Sequence, residues 1–257
     1  MSPAICPRCG HRPGPADPDT HPGVCPGCGI AWAKWRARAG GAPPQPRHPP
    51  GEDDRGVAEP LLARLRAQLL LPPEGMDAGS AMARALLLIA LTAWTLWFAA
   101  HGIDWETIGG SFLHRANLAF HEFGHLFFLP FGETMTILGG SLFQVLLPLS
   151  LSGYFIVRRQ DNFAAAVATW WAGQNLVDLA PYIRDAEYRA LPLVGARGEE
   201  SHDWGNLLER WDAVSQCYTL ARTSFAIGLM VMVLAVLWAV ALLWRAWRAG
   251  DFSAAPR

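Results

Sequence analysis

Residues 112–128 read FLHRANLAFHEFGHLFF. On a helix His121 and His125, four residues apart, stand about 40° from each other and can aim both imidazoles at one ion. With His114 taken as zero and about 100° per residue, Asn117 falls near roughly −60°, His121 near roughly −20°, His125 near roughly +20° and Glu122 near roughly +80°. These residues form one polar stripe, while Phe120, Phe123 and Phe127 cluster on the opposite side, facing lipid or neighbouring helices. An ionisable group at the centre of a bilayer costs about 2.5–3.5 kcal/mol on insertion scales, so a histidine, a glutamate and a second histidine within five residues of apolar sequence need a compensating role. Metal binding is such a role.

The surrounding chain has the composition of a membrane protein. It has 257 residues, of which 51% are hydrophobic, with a mean hydropathy of +0.16. Uncharged or nearly uncharged stretches run over residues 85–100, 116–132, 134–157, 162–177 and 223–244. The last, 22 residues between Arg222 and Arg245, reaches about 33 Å at about 1.5 Å per residue, enough for a hydrocarbon layer of roughly 30 Å. The expected architecture is an all-α polytopic membrane domain of four to five hydrophobic helices over residues 81–250, with the polar segment 182–222 outside the bilayer. Arg64, Arg66 and Arg84 place the N-terminus on the cytoplasmic side, and Arg158, Arg159, Arg245 and Arg248 ask for the same side. Four crossings with a re-entrant HEFGH segment satisfy all of these clusters.

Four of the five cysteines lie near the start, as Cys6-Pro-Arg-Cys9-Gly and Cys25-Pro-Gly-Cys28-Gly with 15 residues between the pairs. This is the spacing of a closed four-cysteine zinc site, and the glycine after each pair permits the turn that lets backbone N–H groups face the sulfurs. A small N-terminal zinc ribbon over residues 1–38 follows, with the metal supplying folding energy that so short a segment cannot draw from burial. Residues 39–57, rich in Pro, Gly and Arg, read as a disordered linker. Residues 58–80 form a connector that opens with an amphipathic helix placing Leu61, Leu62, Leu65, Leu69 and Leu70 opposite Arg64 and Gln68. The first thirty residues hold no cleavable signal pattern. The formal charge of −1, with Lys34 the one lysine, excludes a global basic field, and no nucleic-acid partner is expected. The Arg, Ala, Gly and Pro bias points to a bacterial source and so to the inner membrane.

A zinc hydrolase needs a third protein ligand beside His121 and His125, with Glu122 as the base that takes a proton from water. The expected third ligand is Asp178, the carboxylate in the apolar part of the fourth segment, with His202 of the loop sequence Ser201-His202-Asp203-Trp204 as the alternative. Asp185 is a weaker option, because Arg184 and Arg189 offer it ordinary ion pairs. Downstream of HEFGH, Gly132, Gly139, Gly140, Ser141 and Gln144 serve either close helix packing or an irregular backbone that meets an extended substrate.

HEFGH in a hydrophobic helix, then a Gly-Gly-bearing apolar segment, then a segment with Asn175 and Asp178, resembles the site-2-protease-like intramembrane zinc metallopeptidases over residues 112–181. The resemblance implies His121, His125 and Asp178 as ligands of a catalytic zinc and Glu122 as general base. The expectation is a membrane zinc endopeptidase with one catalytic and one structural zinc. It would cut membrane-embedded or membrane-proximal proteins, and its ribbon would contact a regulatory protein. The alternative is a non-catalytic membrane adaptor in which the polar stripe is a structural metal site and the ribbon does the binding.

Overall fold

The computed structural model describes residues 5, 6, 8–12, 23–33, 67–72, 76–192 and 202–249. The chain divides into two units, Met1–Glu59 and Pro60–Arg257. The linker 39–57 and most of the 58–71 helix lie outside the described residues. In the first unit the described residues form two turns of the same design. The amide of Cys6 donates to His11 and that of Gly10 to Cys6, and the amide of Cys25 donates to Ile30 and that of Gly29 to Cys25. Gly10 and Gly29 close these turns at φ of 74° and 71°, a region an L side chain rarely adopts. Trp32 packs against Cys6 and Cys25.

In the second unit the described residues are helical: α1 (Ala78–His101), α2 (Trp105–Gly109), α3 (Phe112–Phe128), α4 (Glu133–Tyr154), α5 (Asn162–Arg184), α6 (Asp203–Arg210) and α7 (Cys217–Ala249). Side-chain caps start most of them: Asp77, Asp104, Ser111 and Asp161 accept from backbone amides of α1, α2, α3 and α5. Three helical stretches are long and apolar enough to cross a membrane, Ala78–His101, Glu133–Arg159 and Val214–Ala249, as expected of an integral membrane protein. Large apolar side chains cover their outer faces. Met82, Leu86 and Ile89 on α1 and Met230, Leu234 and Leu237 on α7 are all more than half exposed, which suits lipid better than water.

Four to five hydrophobic segments were expected, and three meet the length and composition of a span. The other two are α3 and α5, whose polar residues lower their hydropathy and face each other inside the unit. At 17 residues α3 reaches about 25 Å, short of the hydrocarbon thickness. The centre of the unit is α5, with Gln174, Asn175 and Asp178 buried. It runs through Pro181 to Arg184.

Glycines set the closest approaches. A Cβ on Gly173 of α5 would stand 2.8 Å from the carbonyl oxygen of Gly228 on α7, and one on Gly228 would stand 2.6 Å from that of Gly173. The hairpin of α3 and α4 has the same device, since a Cβ on Gly139 would stand 2.8 Å from the Gly124 carbonyl. Helix–helix packing of this kind leaves no room for a side chain at the crossing. It also brings the first half of α4 directly over the imidazoles of α3.

Candidate metal centre

His121 and His125 point into the unit from one face of α3, and α6 brings a carboxylate to them. His121 Nε2 lies 2.9 Å and His125 Nε2 3.3 Å from Asp203 Oδ2. Four ligands about 2.05 Å from a zinc ion in tetrahedral array stand about 3.3 Å apart. The three groups therefore already hold nearly the separations that a shared cation requires. Together they form one of the two groups of potential metal ligands among the described residues, with His121 buried.

The far side of each ring explains why Nε2 is the nitrogen on offer. His125 Nδ1–H donates to the carbonyl of Thr136 at 2.8 Å. His121 Nδ1–H donates to Gln144 Oε1 at 3.0 Å, and Gln144 Nε2 donates to Asp178 Oδ2 at 2.9 Å. An ionised carboxylate only accepts, which fixes the Gln144 amide and with it the His121 tautomer. Asn117 is oriented by the same logic: it accepts from Trp171 Nε1 at 2.8 Å and donates to Asp178 Oδ2 at 3.3 Å. His114 Nδ1 completes the set 3.0 Å from Asp178 Oδ1. Asp178 is thus the hub of a buried network that aims His121.

The sequence pointed to Asp178 or His202 as third ligand; the structure brings neither to the two imidazoles and brings Asp203 instead. Three donors occupy Asp178. His202 is wholly buried and caps α6, its Nδ1 accepting from the Gly205 amide at 3.0 Å while Nε2 lies 3.3 Å from Asp185 Oδ2. Burial holds its imidazole below the ordinary range, although Asp185 acts in the other direction. Capping by His202 makes Asp203 the first residue of the helix. Trp204 Nε1 then donates to Ser141 Oγ at 3.1 Å, and Arg210 pairs with Glu133, which docks α6 along α4. The polar segment 182–222 thus contributes Asp203 to the site.

Gly140 sits on the other side of the rings. A Cβ there would stand 2.5 Å from His121 Nε2 and 2.7 Å from His125 Cε1, so Gly140 permits close approach to both imidazoles while Gly139 meets Gly124 and Phe128. The three groups open into a cavity of about 710 Å³, whose lining includes Glu122, His114, Gln144, Tyr182 and Leu191. A volume of that order accommodates a substantial organic ligand. Glu122 is exposed on the cavity wall, one residue from His121.

The second group consists of Cys6, Cys9, Cys25 and Cys28. Cys6 Sγ lies 3.7 Å from Cys28 Sγ, and Cys9 Sγ lies 3.8 Å from Cys25 Sγ. Sulfurs bound tetrahedrally at about 2.3 Å stand about 3.8 Å apart, so the four thiols have the spacing of a closed site. Burial opposes ionisation of Cys6, but hydrogen bonds from the backbone of Cys9 and Arg8 and from the neighbouring thiols draw it down to about 6. For Cys9, a backbone hydrogen bond from His11 favours the thiolate, yet burial and the other sulfurs push it up to about 12. One thiolate forms readily and the next is resisted, a conflict that a bound dication removes.

Neither a scan of protein-family models nor searches of the curated proteins and the solved structures returned a match for this chain.

Proposed function

We propose that the chain is an integral membrane zinc endopeptidase that hydrolyses peptide bonds of membrane-embedded or membrane-proximal proteins. The observation that carries this reading is the convergence of His121 Nε2, His125 Nε2 and Asp203 Oδ2, with Glu122 on the wall of the same cavity. Two histidines one turn apart and an aspartate from a later helix form the kind of ligand set that the site-2-protease-like resemblance implies, with Asp203 in the place expected for Asp178. A zinc ion held there would supply a Lewis acid and lower the pKa of a water molecule to about 7.

The chain's own residues supply the remaining chemistry. Glu122 accepts a proton from the attacking water as its oxygen bonds to the carbonyl carbon, and it returns that proton to the leaving amine as the C–N bond breaks. Gln144 and the Thr136 carbonyl hold both imidazoles in one tautomer throughout. The apolar outer faces of the spans keep the cavity in a membrane setting, where an extended segment of a membrane protein is the fitting substrate. The four-cysteine unit, held by a structural zinc, would recruit or regulate through contact with another protein. The arginine clusters support a cytoplasmic N-terminus in a bacterial inner membrane.

The test is Glu122→Gln in protein reconstituted into vesicles with peptide substrates derived from membrane spans. The variant is expected to keep its zinc and lose hydrolysis by about 10²-fold or more, as removal of a general base should cause. Full activity in Glu122→Gln would overturn the proposal.

A further inference from the structure

Tyr182 lies on α5 one turn beyond Asp178, and its side chain lines the same cavity as Glu122 and the three ligand groups. Its ring stands between two imidazoles, with centroids 6.0 Å from His121 and 4.5 Å from His202. The phenol oxygen accepts from the backbone amide of Asp203 at 2.8 Å. Its position is therefore fixed within one side chain's length of the Asp203 carboxylate, and its acceptor role is filled. The O–H proton has the Asp203 carboxylate as its nearest acceptor and becomes available to another once a cation takes up that carboxylate.

One reason for this hydroxyl is structural: it takes up the first amide of α6, which the His202 cap at Gly205 does not reach. The cavity supplies a chemical reason. Glu122, Asp178 and Asp203 line it, and among the described residues no lysine or arginine does. Negative charge that collects on a carbonyl oxygen during hydrolysis would thus meet carboxylates and no lysine or arginine. His114 is occupied by Asp178 through Nδ1 and lies two turns along α3 from His121, about 10 Å away along the axis. Gln144 is engaged at both ends of its amide. Tyr182 is a neutral donor that stands beside the ligand groups.

Resting on the endopeptidase reading above, we propose that Tyr182 is a catalytic residue whose O–H donates to the scissile carbonyl oxygen as negative charge develops on it. No proton is transferred. As water's oxygen bonds to the carbonyl carbon, the π pair moves onto the carbonyl oxygen and its hydrogen bond from Tyr182 strengthens. When the C–N bond breaks, the pair returns and that hydrogen bond relaxes. Interactions of this kind act on the transition state more than on bound substrate, so loss of the donor lowers kcat and leaves KM largely in place.

The experiment compares wild type with Tyr182→Phe in the full-length reconstituted protein. Three quantities are measured: turnover of a cleavable membrane-derived peptide, zinc affinity by chelator competition, and binding of a phosphinic peptide, whose tetrahedral anionic centre mimics the charged oxygen. Tyr182→Phe is expected to lower kcat by about 10²-fold, to change KM less than about two-fold, and to weaken the phosphinic peptide by a factor similar to the loss in kcat. Zinc affinity should be unchanged. Unaltered phosphinic binding overturns the proposal. So does a fall in zinc affinity that accounts for the lost turnover, because Tyr182 would then only position Asp203. If wild type holds zinc but cleaves no peptide, the endopeptidase reading fails, and phosphinic affinity still decides whether Tyr182 faces a bound anion.

Discussion

Gln144 is the residue through which Asp178 acts on the ligand set. Its amide accepts from His121 and donates to Asp178, so it links an anion that touches no imidazole of the pair to the ring that most needs orientation. Gln144→Leu would orphan the His121 Nδ1–H in a buried place, at about 1–3 kcal/mol. It would also release the ring to adopt the other tautomer. Partners at this remove typically govern metal affinity by about 10–100-fold, and a decrease of that size in zinc affinity is the expected outcome by chelator competition. Residue-scale reasoning from sequence found His121, Glu122 and His125 because their spacing is local: one helical period places them together whatever the rest of the chain does. It missed Asp203, which meets His121 across a separation of 82 residues that no helical period reports. His202 drew attention as the better-known zinc ligand type, but it caps a helix and its neighbour Asp203 reaches the imidazoles instead. An acidic residue opening a short helix, followed by buried Leu207 and Leu208, was the signal available.

At the scale of helices, the site depends on how closely α4 approaches α3. Gly140 is the point of contact, and a methyl group there would press on both imidazoles. Gly140→Ala must move either the rings or the α4 backbone, so the expected result is loss of zinc from His121 and His125 with helical content retained. The strain of such overpacking is about 1–3 kcal/mol, small enough for the unit to stay folded. Circular dichroism with metal analysis separates the two effects. The helices themselves were largely legible, since uncharged runs bounded by arginines mark spans and the last of them, 223–244, lies within α7. The role of α5 was not. Residues 162–177 carry the apolar composition of a lipid-facing span, whereas the structure surrounds the helix with others, because the polar groups Gln174, Asn175 and Asp178 need partners that lipid lacks.

For the whole molecule, the described residues hold two candidate metal centres of different kind in two separate units of the chain: four thiols at the spacing of a closed site, and an imidazole pair with Asp203 that opens into a cavity. The cysteine cluster was readable from paired spacing alone, the other only in its two imidazoles. Zinc analysis of detergent-purified protein, in wild type and in Asp203→Ala, tests this most directly. Wild type should carry two equivalents, and Asp203→Ala should retain one, held by Cys6, Cys9, Cys25 and Cys28. Two equivalents in Asp203→Ala, or a single equivalent in wild type that Cys6→Ser removes, would contradict the assignment of His121, His125 and Asp203 as a metal centre.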